Sequence, residues 1–419
     1  MIPLWDTTDL MDACIKRDVA KVEKLLAQNP KLEEMANTGD TALLFAAYAG
    51  SVKIAQMLIN AGAKITACNH FGLNILHVAA AHGQCDMIRF ILDNKYFDVN
   101  CPGRLGEKVT QENHVIIEYE KECPTPLHLS ARNGHVQTAK LLLEYGANIN
   151  ATDINGESPL IYAVREQHAD MVDFLISEGA DVNQADKKGY AAAFRGMMAM
   201  DISVYNFDYV KRIAKSMSIF EALRKAGAIM GDDVLRATSL KGSATRGLLQ
   251  ELLESRTYSQ DTLNEALVNA CSCNEAYFEP QKNIQLLMRH GAMPVDKVKD
   301  MPFNALQISV IFSAIKNMRQ LVNAGANLNV MDSSRNTLVN LAACKHDLRI
   351  LRILVSEYHL PCNIANAKGD TPLLSAVKKQ RHYNPSRVSA CKRVRCQPSQ
   401  QNWTNRPAYC LQEKKQGSG

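Results

Sequence analysis

Gly39 and Gly72 stand 33 residues apart, as do Cys123 and Gly156, and Gly156 and Gly189. The one longer step, 51 residues from Gly72 to Cys123, is a single period plus an 18-residue insertion, placed at residues 103–120. This spacing limits the fold more than any other feature. A 33-residue unit is too small to bury its own apolar face and becomes stable by stacking on copies of itself.

The words around each marker recur. Cys123 is followed by Thr125-Pro126-Leu127-His128 and then Gly134-His135; Gly156 by Ser158-Pro159-Leu160; Gly39 by Thr41-Ala42-Leu43-Leu44 and Gly50; Gly369 by Thr371-Pro372-Leu373-Leu374. About 23 residues past the markers come Gly62-Ala63, Gly146-Ala147, Gly179-Ala180 and Gly325-Ala326. Thr or Ser accepts an orphan amide at a helix start, and Pro fits the first helical position. Leu127 and Ala131 then share one face of a short helix. Gly134 permits a turn. Val136, Ala139, Leu142 and Leu143 form the apolar stripe of a second helix, which Gly146 ends as a left-handed cap.

This pattern resembles the ankyrin repeat over nearly all of residues 5–377. The resemblance implies an all-α fold: an α-solenoid of helix-turn-helix repeats with short β-hairpin loops, about ten to eleven units, several of them degenerate. The expected domains are 1–377, with the insertion at 103–120 and irregular geometry through 190–260, and a basic, disordered tail at 378–419. A tenth unit starts at Arg335 and an eleventh at Gly369. The eleventh loses the pattern after Val377.

Charge divides the same way. Residues 378–419 hold ten Lys or Arg and one acidic residue, Glu413, while the remainder holds 38 basic and 42 acidic residues. Lys378, Lys379, Lys392, Arg393 and Arg395 resemble a two-part nuclear import signal, and a solvated charge run is the plainer alternative. Nucleic acid is an expected partner only through this segment. No run of roughly 18 apolar residues is present to span a bilayer, and the first residues do not read as a signal peptide. The twelve scattered cysteines read as reduced thiols of a cytosolic or nuclear protein.

No phosphate-binding loop, zinc-protease motif, nucleophile elbow or kinase motif occurs, so catalysis, metal and cofactor are not expected. The resemblance implies that His128 bonds to loop backbone and that His135 marks the inter-helix turn. It also implies a protein-binding concave face made of loop tips and first helices, in a chain that acts as a monomeric scaffold. The slots on that face hold Tyr48, His70, Phe71, Leu73, His82, Arg132, Asn133, Arg165, Glu166, Lys187, Lys188 and Tyr190. Core packing does not require these identities, and exposed aromatics and Arg often anchor interfaces. Asn100, Asn150, Asn183 and Asn329 share one repeat position, which in such proteins is a site of enzymatic hydroxylation. The simpler reading is that each Asn satisfies loop backbone. A substrate-recruiting subunit of a ubiquitin ligase is the alternative function.

Overall fold

A computed structural model of the chain describes residues 7–104, 123–199, 209–273, 279–299, 301–345 and 347–380. The packing divides into two compact units, one ending at Thr262 and the other beginning at Leu263.

The first unit is a series of antiparallel helix pairs. They are α1 (Asp9–Ile15) with α2 (Val19–Leu26), α3 (Ala42–Ala49) with α4 (Val52–Asn60), and α5 (Ile75–Ala81) with α6 (Cys85–Asp93). Next come α7 (Pro126–Arg132) with α8 (Val136–Glu144), and α9 (Pro159–Arg165) with α10 (Ala169–Ser177). Each first helix packs on the next first helix, and each second helix on the next second helix. The two layers differ in burial for that reason. In α3, Ala42 to Ala47 and Ala49 are all buried, because neighbours cover it on several sides. In α4 only Ile54, Ala55 and Leu58 are buried, a single stripe. Each such Leu or Ile contributes about 1.5–3 kcal/mol relative to exposure.

α11 (Ala192–Ala199) is followed by α12 (Tyr209–Lys225), 17 residues long where the other second helices of this unit have eight to ten. α13 (Asp232–Ser239) and α14 (Arg246–Ser255) are joined by a 3-10 turn at Gly242–Thr245.

The second unit contains most of α15 (Gln260–Cys271), then α16 (Pro280–Arg289), α17 (Ala305–Ile311), α18 (Ile315–Asn323), α19 (Leu338–Cys344), α20 (Leu348–Arg352) and α21 (Pro372–Gln380). α20 runs on into a π-helical turn, Ile353–Glu357. The markers Arg335 and Gly369 are 34 residues apart, one more than the usual period. The wider turn absorbs the extra residue, closing with Tyr358 N on Ile353 O at 3.2 Å.

The loops turn as hairpins without extending into strands. Among the described residues the one bridge outside helices joins Met331 and Thr337. At Asn69, Asp153, Asp186, Asp332 and Asn366 the loop side chain that organises the turn stands three residues before the marker. Asp153 Oδ1 accepts Asn155 N at 2.9 Å and Glu157 N at 2.7 Å; Asp186 Oδ1 accepts Lys188 N at 2.8 Å and Tyr190 N at 2.9 Å. Successive loop tips are then linked by single amides: His70 N to Thr38 O, Lys187 N to Asn155 O and, in the second unit, Ala367 N to Ser334 O. The stem of the insertion joins the same row, with Arg104 N on Gly72 O at 2.9 Å and Gly103 N on Pro124 O at 2.8 Å. Residues 105–120 of the expected insertion, and residues 381–419 of the expected tail, lie outside the described residues.

Eight of the described cysteines are free, and burial pushes the thiols of Cys14 and Cys101 up to about 12 and about 11. Such thiols are poor nucleophiles. Cys362 is disulfide-bonded, against the expectation of reduced cysteines throughout. Among the described residues no helix is long and apolar enough to cross a membrane, and no cluster of three or more His, Cys, Asp or Glu could hold a metal.

Candidate functional site

Two rows of side chains emerge where the loop tips and the ends of the first helices meet. Their backbone is held by bonds that cross from repeat to repeat. His128 Nδ1 accepts the Thr125 amide at 3.1 Å, which leaves Nε2–H to donate to Glu157 O at 3.0 Å, in the next loop. His77 Nε2 lies 3.0 Å from Pro124 O in the equivalent place. Burial drives the pKa of both rings down to about 4, so they are neutral.

A second staple runs backwards. Gln84 Nε2 donates to Tyr48 O at 2.9 Å, His135 Nε2 to Ala81 O at 3.1 Å and His168 Nε2 to Arg132 O at 2.9 Å. His135 is therefore more than a turn marker: it holds the end of the preceding first helix. The same contact explains Gly134. Its φ is +72°, and an added Cβ would stand 2.7 Å from His168 Nδ1.

On this frame sits a chain of alternating charges. Glu157 is buried between two arginines, with Oε2 2.5 Å from Arg165 Nη1 and Oε1 2.9 Å from Arg195 Nη2. Arg195 also pairs with buried Asp186, its Nε 3.0 Å from Oδ2. Burial opposes ionisation of Asp186, but the Tyr190 amide and Arg195 outweigh it and hold the carboxyl below its ordinary range. Arg165 Nε reaches Glu166 at 3.5 Å, and Arg132 Nε lies 3.9 Å from the same carboxylate. The Arg165 guanidinium lies over the Tyr162 ring at 4.5 Å, and Arg195 lies 5.6 Å from the Tyr190 ring, which stacks on Phe194.

The structure thus brings Arg132, Arg165, Glu166 and Tyr190 into one array. The sequence reading missed Glu157, Asp186 and Arg195, which complete it. Glu157 was legible as a residue flanking Gly156; Arg195, inside a helix, carried no such signal. Tyr48 and His82 form a separate edge-to-face pair, 4.3 Å between centroids, and burial followed by the charge of His135 lowers the His82 pKa. His70 lies against Gly39, where an added Cβ would stand 2.3 Å from Cδ2. Phe71 is exposed and Leu73 half-buried, while Asn133, Lys187 and Lys188 are exposed.

The four asparagines divide. Asn100 accepts Asn148 N at 2.7 Å and donates to Gly146 O at 3.2 Å; Asn183 accepts Ile229 N at 2.7 Å and donates to Gly227 O at 3.1 Å. Asn150 accepts Asp181 N at 2.9 Å. Each ties its loop to the Gly-Ala turn of the next repeat. Asn329 has Pro361 where the others find that amide, and proline has no N–H. Lys378 lies in α21 and pairs with Asp370 at 2.5 Å, so it is not a free member of a basic run. The Lys379 side chain, and all of Lys392, Arg393 and Arg395, lie outside the described residues.

A family model described as "Ankyrin repeats (3 copies)" matches residues 10–102 and 109–186. The E3 ubiquitin-protein ligase XBAT32 of Arabidopsis thaliana is 27% identical over 35% of this chain and 37% of its own length. The putative ankyrin repeat protein YahD of Escherichia coli is 28% identical over 36% of this chain and 86% of its own. The human ankyrin repeat and SOCS box protein 3 is 33% identical over 30% of this chain and 22% of its own. The chain therefore spans little more than a third of the ligase.

Proposed function

Because this chain belongs to the ankyrin-repeat family, we propose that it acts by binding a partner protein on the first-helix and loop-tip face of its first unit, as a non-enzymatic scaffold. The observation that carries this reading is the Arg165–Glu157–Arg195–Asp186 array. Its side chains are fixed before any partner arrives, so ordering them costs little on binding. Tyr190, Lys187 and Lys188 extend it with aromatic surface and positive charge, and Phe71 is exposed on an earlier loop tip of the same unit. Such a face suits a partner segment that offers apolar side chains beside carboxylates.

The test is affinity purification of the full chain against a Phe71→Ala, Lys188→Glu double variant, with partners identified by mass spectrometry. The variant is expected to lose its specific partners and keep its melting temperature. An unchanged partner set would remove this face from consideration.

The names of two relatives favour a second reading, in which the bound protein is the substrate of a ubiquitin ligase complex. Co-purification of ligase subunits, and loss of ubiquitin from a partner on depletion of this chain, would distinguish it from plain scaffolding. We also place the chain in the cytosol as a monomer, with the basic segment as a route to the nucleus. A fluorescent fusion of the full chain that stays put when Lys392, Arg393 and Arg395 become Ala would exclude that route.

A further inference from the structure

The last described repeat departs from the others at one position. Six residues after the marker, the other well-formed repeats carry Phe45, Val78, Leu129, Tyr162, Arg195 and Leu341; the repeat of Gly369 carries Ser375. Tyr162 and Arg195 reach back to the loop side chain three before their marker, Tyr162 Oη donating to Asp153 Oδ2 and Arg195 Nε to Asp186 Oδ2, each at 3.0 Å. A serine is too short for that reach. Ser375 is only 7% exposed, and its hydroxyl has no hydrogen-bond partner among the described residues. A buried hydroxyl in that state costs free energy until something bonds to it.

Ser375 lines a cavity of about 460 Å³, together with Asn336, Asn366, Lys368, Asp370 and Lys378. That volume lies in the range of small-ligand pockets, roughly 300–1,000 Å³. The amides are committed. Asn366 Nδ2 donates to Asn336 Oδ1 at 2.8 Å, Asn366 Oδ1 accepts the Lys368 and Asp370 amides, and Asn336 Nδ2 donates to Asp332. Asp370 is already paired with Lys378. Lys368 is exposed and has no ion pair among the described residues, and Lys378 uses one of three N–H donors. Ser334 and Cys344 also line the cavity, so its spare capacity is two ammonium groups and the serine hydroxyls, set against one occupied carboxylate.

We propose that this cavity is a second binding site, which takes a carboxylate side chain from an acidic segment of a partner protein onto Lys368, Lys378 and the Ser375 hydroxyl. It does not depend on the proposed face of the first unit.

The test uses the full chain and a fluorescein-labelled hexaglutamate peptide, followed by anisotropy at about 0.15 M salt, where long-range attraction is largely screened. Hexaglutamine is the neutral control. Hexaglutamate is expected to bind and hexaglutamine not. Lys368→Gln should weaken binding by about threefold or more, the scale of one exposed ion pair. Ser375→Phe, which restores the bulk carried at Phe45, should abolish it. Lys140→Gln, on an exposed second helix of the first unit and in neither site, should leave it unchanged. Unaltered affinity in Lys368→Gln, equal binding of hexaglutamine, or an equal loss in Lys140→Gln would each overturn the proposal. Lys368 is exposed on a loop, so its variant decides the matter even if Ser375→Phe fails to fold.

Discussion

Glu157 Oε2 and Arg165 Nη1 meet at 2.5 Å from positions one and nine residues past their marker, and Asp370 and Lys378 meet in the same register of the second unit. The pairing is a property of the repeat geometry that a sequence can adopt wherever it places opposite charges at those two positions. In the first unit it has a further partner, Arg195, which makes Glu157 the hub.

Glu157→Gln should therefore destabilise the first unit by about 1–3 kcal/mol, since it leaves two arginines without their shared charge; their partial exposure keeps the loss below that of a fully buried pair. Urea denaturation at neutral pH measures it. A midpoint equal to wild type would mean that the array contributes nothing to folding.

Gly134→Ala forces a Cβ onto His168 at a left-handed backbone position. A loss of about 2 kcal/mol or more is expected. Adding His168→Ala should recover the steric part and leave the backbone part, so the double variant should be more stable than the sum of the singles predicts. Strict additivity would deny the contact.

His77 and His128 give the first unit a pH dependence of definite sign. Their folded pKa values, about 4, lie below the 6.5 of an exposed ring. The unfolded chain therefore binds more protons between these limits. The stability is whole above pH 6.5 and falls as pH drops toward 4, by about 1.4 kcal/mol per pH unit for each ring. Proton NMR should find both rings neutral at pH 5, and the urea midpoint should fall between pH 7 and pH 5.

Asn183→Ala and Asn329→Ala should differ although the residues share a repeat position. The first removes two bonds to the next turn and should cost about 1 kcal/mol. The second lacks the amide partner at Pro361 and should stay within about 0.5 kcal/mol of wild type. Equal losses in a thermal melt would show that the bond to the next repeat is not what these residues supply.

The helices were legible in the sequence because each carries its own signals. Thr125 and Pro126 start α7, and Gly134 and Gly146 end the two helices that precede them in the chain. What joins the repeats was less so. The Asp153 and Asp186 loop bonds, the His168 staple and the Arg195 pair with Glu157 link residues that become neighbours only on stacking. A period fixes where such residues stand, but not which side chains bond. Of the proposed face, Arg165 and Glu166 were found by position alone. Asp186 was passed over because it lies three residues from its marker, outside the flanking slots.

The π-turn at Ile353–Glu357 shows how the array separates length from phase. The tenth repeat carries a surplus residue, yet Asn366 still meets Asn336 and Asn340 Nδ2 still donates to Asp370 O at 3.2 Å. The surplus is stored in a second helix, away from the loops that form the contact surface. Chains of this kind can therefore gain single residues on one side while the spacing of their recognition loops stays constant. Removing one residue from 353–357 should yield an unbroken α-helix and leave the cavity at Ser375 where it is.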